Sequence, residues 1–204
     1  MTAIVPEWEL WEAWRPPQVT EFLEGLDVPW YIAAGWAIDL FLGEERREHE
    51  DLEIAVPNVR FDEVAERLEG FDVFVITGPG EGMPLQEARD RLADTHQTWV
   101  WDPGSGRWRL DVFREPSDGG TWVCRRDPAL RMPYERLIER TADGVPYGRP
   151  EVILLFKAKH AGEEKNQADF ADAVPRLDDA RRAWLREALE RVHPGHKWLE
   201  ELAA

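Results

Sequence analysis

Cysteine is nearly absent. Cys124 stands alone among 204 residues, which excludes an intramolecular disulfide and a cysteine-rich zinc module. No run of the chain approaches the ~18 consecutive apolar residues needed to cross a bilayer. The opening MTAIVPEWELW has neither the basic n-region nor the apolar h-region of a secretory leader. A cytoplasmic protein without membrane attachment is expected. Basic charge is scarce as well: 25 Lys and Arg face 41 Asp and Glu, for a formal net charge of −16. Nucleic-acid binding draws most of its affinity from Lys and Arg on phosphates, so DNA and RNA are disfavoured as partners. Bound Mg²⁺ or a cationic small molecule suits this surface better, although excess carboxylates also serve solubility alone. No internal repeat and no low-complexity linker interrupts the chain.

What is present is a globular composition, with 43% hydrophobic residues and a heavy load of 11 tryptophans. At roughly 100–200 residues per domain, this is one domain or two small ones. Trp8, Trp11 and Trp14 recur at a spacing suited to one helix face, and core packing is the preferred role for them. After Pro16-Pro17 a helical period resumes through Val19, Phe22, Leu23 and Leu26. Trp30 to Ala33 reads as a short strand, Ala34-Gly35 as a turn, and Trp36 to Leu42 as a helix closed by Gly43.

Asp51 to Val56 alternates cleanly, with Leu52, Ile54 and Val56 on one face and Asp51 and Glu53 on the other. A helix through Phe61 and Leu68 and a strand from Phe71 to Ile76 follow. Thr98–Trp101 and Arg107–Phe113 read as a hairpin across Asp102-Pro103-Gly104-Ser105-Gly106, and Thr121–Arg125 as an edge strand. Beyond Asp127 the pattern turns helical, over about 134–140, 150–161, 167–174 and 178–192. The expected class is α/β (α+β): a head over 1–126 with N-terminal helices, then a helical C-terminal region over 127–204.

The chemistry gathers at Asp51-x-Glu53. Residues two apart on a strand point the same way, ~6.5–7 Å apart, and two such carboxylates can share a hard divalent cation with substrate phosphates. Leu110 and Val112 share a face on the second hairpin strand, which leaves Asp111 on the opposite face. If that strand neighbours 51–56, Asp111 converges on Asp51 and Glu53. Three carboxylates together are costly unless a cation neutralises them. Ala34-Gly35 leads into a helix N-terminus, whose free N–H groups suit phosphate oxygens. Lys157 and Lys159 follow the apolar run Val152–Phe156, so at least one should reach an anion.

Several tempting signals are discounted. Gly78-Pro79-Gly80-Glu81-Gly82 lacks the G-K-[ST] ending of a phosphate loop and reads as a flexible loop. His193 and His196 flank a helix break and read as cap and turn, while His96 has no evident partner. Cys124 beside Arg125 and Arg126 has no recognisable base and reads as structural.

Taken together, Ala34-Gly35-Trp36-Ala37-Ile38-Asp39-Leu40-Phe41 and Arg47-Glu48-His49-Glu50-Asp51-Leu52-Glu53-Ile54 resemble the aminoglycoside 2″-adenylyltransferase-like and lincosamide nucleotidyltransferases. These belong to the DNA-polymerase-β-like nucleotidyltransferase superfamily. Trp108–Phe113 is similar to the strand bearing that superfamily's third carboxylate. Leu154–Lys159, with Lys165 and Ala168-Asp169-Phe170, is similar to the helical tail of one branch.

The resemblance implies a mixed sheet flanked by helices and a Mg²⁺-dependent transfer of a nucleoside monophosphate, AMP from ATP, to a hydroxyl of a small molecule. A hydroxylated, cationic, aminoglycoside-like antibiotic would be the acceptor, and pyrophosphate would leave. It also implies roles: Asp51, Glu53 and Asp111 as metal-binding and catalytic carboxylates, with Asp111 as ligand or base. Gly35, Trp36, His49, Lys157 and, in reserve, Lys159 would bind nucleotide. Three departures stand out: Ala34-Gly35 for a Gly-Gly or Gly-Ser pair, D-x-E for D-x-D, and Lys165-Asn166 for Lys-Asp. They leave a catalytically weak or regulatory, antitoxin-like member as the alternative.

Overall fold

The structure is a computed structural model and describes residues 5–203. Among the described residues eleven strands are present: β1 (Tyr31–Ile32), β2 (Glu53–Pro57), β3 (Asp72–Gly78), β4 (Glu81–Pro84), β5 (Gln97–Asp102), β6 (Arg107–Glu115), β7 (Ser117–Asp118), β8 (Thr121–Val123), β9 (Arg131–Pro133), β10 (Ile138–Arg140) and β11 (Pro146–Gly148). The helices are α1 (Pro16–Phe22), α2 (Ala34–Leu42), α3 (Phe61–Arg67), α4 (Tyr134–Leu137), α5 (Pro150–Lys157), α6 (Glu164–Ala173), α7 (Asp179–Val192) and α8 (Trp198–Leu202).

Eight strands form one mixed sheet in the order β10-β11-β1-β2-β6-β5-β3-β4, and β7-β8-β9 form a small second sheet. The β2–β6 and β1–β11 pairs are parallel and the rest antiparallel. The expected α/β class with a mixed sheet and following helices is therefore what the chain adopts.

Alternation decides which side of the sheet is which. Ile54, Val56, Leu110, Val112 and Val100 are fully buried on one face. There the Arg114 guanidinium lies 5.5 Å over the Phe61 ring of α3. The opposite face carries Glu53, Ala55, Asp111 and Phe113 and looks toward α5. Helix α5 packs on α2 and α7, and α2 also meets α6. The hairpin forms as expected, with Asp102 accepting from the backbone N–H of Gly104 at 2.9 Å and of Gly106 at 2.8 Å.

Three expectations need correction. Trp8–Trp14 is not a helix. Residues 10–14 run beside the start of β6, with Trp108 N–H donating to Leu10 at 2.9 Å and Trp14 N–H to Arg109 at 2.9 Å. Trp8 and Trp11 meet Trp99 edge-on at 4.9 and 5.0 Å. The aromatic spacing served packing on Trp108, whose ring is fully buried, and a period of three over so few residues cannot distinguish helix from ribbon. Gly78–Gly82 is no flexible loop but the tight turn of the β3–β4 hairpin. The region after Asp127 is not uniformly helical: β9, β10 and β11 intervene, and β11 pairs with β1, so helices take over only at Pro150. Three-residue strands carry no readable period, and their partners lie far away in sequence.

Candidate active site

The alternation of β2 and β6 becomes chemistry through their register. Glu53 pairs directly with Asp111, followed by Ala55 with Phe113 and Pro57 with Glu115. The Asp111 backbone N–H donates to the Leu52 carbonyl at 2.9 Å, extending the ladder toward Asp51. On the other side β1 runs antiparallel to β2, with Ile32 opposite Ile54, and Ala33 N–H donates to the Glu53 carbonyl at 2.8 Å. Residues just after β1 therefore lie across from residues just before β2. The N-terminus of α2 arrives beside Asp51.

That N-terminus is open. Its N-cap, Ala33, supplies no side-chain cap, and the first-turn N–H groups of a helix have no intrahelical acceptors. Gly35 is required by crowding. A Cβ there would collide with the Arg47 guanidinium and sit 2.8 Å from the His49 ring. Ala34 has φ +48°, among the described residues the only non-glycine in the left-handed region. That conformation costs an L-residue about 1–2 kcal/mol, while glycine adds about 0.5–1 kcal/mol of chain entropy to the unfolded state. Ala34→Gly is therefore expected to stabilise the protein by roughly 0.5–1 kcal/mol. Urea denaturation checks this, and a lower midpoint would contradict it.

The three carboxylates lie close enough to raise one another's pKa, with too little compensating charge. Burial pushes the Glu53 carboxyl well up, with Asp51 and Asp111 adding to the effect and Lys157 opposing it. Burial also raises Asp51, against the pull of Lys165. Asp111 is pushed up to about 7, chiefly by burial, although Gln97 Nε2 donates to its Oδ2 at 2.8 Å. Its Oδ1 is buried without a well-formed hydrogen bond, although the Trp99 indole lies near enough to lower the Asp111 pKa. Among the described residues no group of three or more His, Cys, Asp or Glu side chains is placed to hold a metal ion by itself. A Mg²⁺ ion commonly takes only one or two carboxylates and completes its shell with phosphates and water, so the orphaned oxygen and surplus charge fit a cation that arrives with its ligand.

A cavity of about 860 Å³ opens over this face, lined among others by Gly35, His49, Asp51, Glu53 and Lys157. Asp111 lies beneath its wall, 3% exposed and reached through Gln97. Trp36 does not line it. Its ring stacks behind His49 at 4.3 Å, with the Arg15 guanidinium 4.7 Å from its centroid. His49 is oriented by Asp39, whose Oδ2 lies 2.7 Å from Nε2, and Nδ1 is turned toward Gly35. Burial lowers the His49 pKa, and Arg47 assists while Asp39 opposes.

Lys157 is held rather than free. Its Nζ lies 2.7 Å from Asp169 Oδ2 and donates to Asn166 Oδ1 at 3.0 Å. Lys159 is exposed on the rim, with no ion pair among the described residues. Asn166, the departure noted in the tail, donates in turn to the His160 carbonyl at 3.0 Å and to Glu163 at 3.1 Å.

Sequence reasoning missed the support beneath these groups. Arg46 donates to Asp39 Oδ1 at 2.9 Å and to Asp169 Oδ1 at 2.6 Å, and it also pairs with Asp172. One guanidinium thus ties the partner of His49 to the partner of Lys157. The signal available was an arginine among aspartates, which is common in an acidic chain.

Residues 17–98 match the model of the aminoglycoside-2″-adenylyltransferase family. That stretch is similar to the family. The match covers Gly35, His49, Asp51 and Glu53 and stops before Asp111. A lincosamide resistance protein of Staphylococcus haemolyticus is 25% identical over 156 residues, spanning 76% of this chain and 87% of the relative. Two solved structures share the fold at 18% identity. ANT(2″)-Ia in complex with adenylyl-2″-tobramycin has a TM-score of 0.57, covering 86% of this chain and 94% of that one. The lincosamide antibiotic adenylyltransferase LnuA, lincomycin-bound, has a TM-score of 0.52, covering 76% and 91%. Among the described residues no helix is long and apolar enough to cross a membrane.

Proposed function

We propose that the chain is a cytoplasmic nucleotidyltransferase that moves AMP from MgATP to a hydroxyl of a small antibiotic-like molecule and releases pyrophosphate. The observation that carries this reading is Asp51 and Glu53 lining one cavity beside the open N-terminus of α2, with Asp111 registered opposite Glu53 just beneath the cavity wall. The related adenylyltransferases support an antibiotic acceptor.

Asp51, Glu53 and Asp111 would hold Mg²⁺, whose charge would neutralise the triphosphate and help ionise the acceptor hydroxyl. The Gly35 amide, at the N-terminus of α2 on the cavity wall, would donate to phosphate oxygens there, where the helix dipole favours negative charge. Lys157, fixed by Asp169 and Asn166, supplies positive charge to the same phosphates. Asp111 would either complete the metal's ligand set or act as the base that takes the acceptor's proton. The acceptor oxygen bonds to the α-phosphorus as the bond to the bridging oxygen breaks, and pyrophosphate carries away the electron pair.

Calorimetry of ATP binding tests this. Binding is expected to require Mg²⁺ and to be lost in Glu53→Ala, with acceptor-dependent pyrophosphate release across a panel of hydroxylated antibiotics. Binding indifferent to Mg²⁺ and to Glu53→Ala, with no release, would favour a regulatory nucleotide-binding role instead.

A further inference from the structure

The chain is strongly acidic, yet the cavity over its sheet is not. Of the 25 Lys and Arg, six line it: Arg47, Arg125, Arg126, Lys157, Lys159 and Lys165. They divide into two groups. Arg47, Lys157 and Lys165 stand near Asp51, Glu53 and Asp169. The others lie farther along β6, where Phe113 and Glu115 follow Asp111 on the same face. At ~3.3 Å per residue, Glu115 is ~13 Å from Asp111.

At that far end the charges do not balance. Glu115 is buried and accepts from Arg125 Nη1 at 2.7 Å, so one arginine is matched. Arg126 donates to the Leu155 and Phe156 carbonyls at 3.1 and 3.2 Å and lies 3.2 Å from His193 Nε2, with no carboxylate partner among the described residues. Lys159 has none either. His96, also in the wall, is pushed down to about 4 by burial and by Arg125, Arg114, Arg126 and Lys159, so it adds no charge but registers the positive field. Phe156 lies under both arginines, 4.5 and 4.8 Å from its centroid, and with Phe113 offers apolar walls.

We propose that this end of the cavity, formed by Arg125, Arg126 and Lys159 beside Phe113 and Phe156, binds an anionic group of the acceptor, a carboxylate or phosphate on an aromatic or otherwise flat body. The assignment rests on the nucleotidyl-transfer reading and reverses one expectation drawn from composition. Overall charge steers an approaching molecule, but the side chains lining the cavity recognise it.

The test uses three probes of matched size on the intact protein: 4-hydroxybenzoate, 4-hydroxybenzamide and tyramine, titrated by ligand-observed NMR with and without saturating MgATP. The acid is expected to bind about tenfold more tightly than the amide, with the amine weakest, and to remain bound when MgATP is added. Lys159→Gln, on the exposed rim, and Arg126→Gln should each narrow the acid-over-amide preference. If Arg126→Gln fails to fold because α5 loses its carbonyl contacts, Lys159→Gln alone carries the comparison.

Equal binding of acid and amide, preference for the amine, or no binding of the acid would overturn the proposal. Displacement of the acid by MgATP would overturn it too, because the cations would then belong to the nucleotide phosphates. Acid binding in a protein that does not bind MgATP would leave the anion subsite standing and bring down the nucleotidyl-transfer reading instead.

Discussion

Asp111→Asn is expected to lower turnover by about 10²–10⁴-fold, the usual contribution of a positioned base, while making the metal-free protein more stable at neutral pH. The two effects have one cause. Burial raises the Asp111 pKa from the ordinary 3.8 to about 7. Below about pH 4 both folded and unfolded states carry the proton, and the carboxyl costs nothing extra. Between about 4 and 7 the unfolded chain releases it while the folded protein keeps it, so stability falls as pH rises through that window. Above about 7 the penalty is complete, on the order of 4 kcal/mol. Asparagine removes the titration and can still pair with Gln97 after an amide flip. Urea midpoints should therefore differ between wild type and Asp111→Asn at pH 7.5 and converge near pH 4. A variant less stable than wild type at pH 7.5 would show that the buried carboxylate is compensated by neighbours rather than strained by them. Millimolar Mg²⁺ with ATP should narrow the gap at pH 7.5, since ligand binding to the folded state stabilises it.

Arg46→Ala is expected to destabilise the protein by about 3–5 kcal/mol, the range for removing one partner of a buried ion pair. Arg46 is 15% exposed, and two of its partners, Asp39 and Asp169, are 2% and 1% exposed. Truncation leaves two buried carboxylates with less than their share of positive charge, whereas the pair with the exposed Asp172 adds little. Lys157 and Arg47 remain near Asp169, so Asp39 bears more of the loss. Arg46→Lys should recover only part of the stability, because an ammonium cannot fork between Asp39 and Asp169. Where Arg46→Lys folds, the KM for ATP should rise more than kcat falls, since His49 and Lys157 lose their alignment before Asp111 does. A loss below 1 kcal/mol in Arg46→Ala would mean that water replaces the guanidinium.

The legible part of this protein was its local order. Alternation in 51–56 and 107–113 assigned each carboxylate to the polar side of a strand, because side-chain direction repeats every two residues whatever the partner strand is. The hairpin at 102–106, the helix closed by Gly43 and the run Val152–Phe156 were readable for the same reason. The Trp8–Trp14 segment misled because three aromatics at helical spacing fit equally well a ribbon laid over Trp108.

Strand pairing was a conditional statement in the sequence and a fact only in the fold. Nothing local says that β2 lies parallel to β6 with Glu53 opposite Asp111, or that three residues at 146–148 enter the sheet beside β1. The Arg46–Asp169 contact spans 123 residues. The charge of the cavity was hidden more deeply, since composition reports the whole surface while folding gathers a quarter of the cations around one hollow. The sequence by itself determined which face of each strand carries acid, because that depends on backbone geometry alone. Which acids meet, which cations brace them and which are left for a ligand was decided by tertiary packing, where contacts between distant segments are selected by burial and charge compensation rather than by neighbours in the chain.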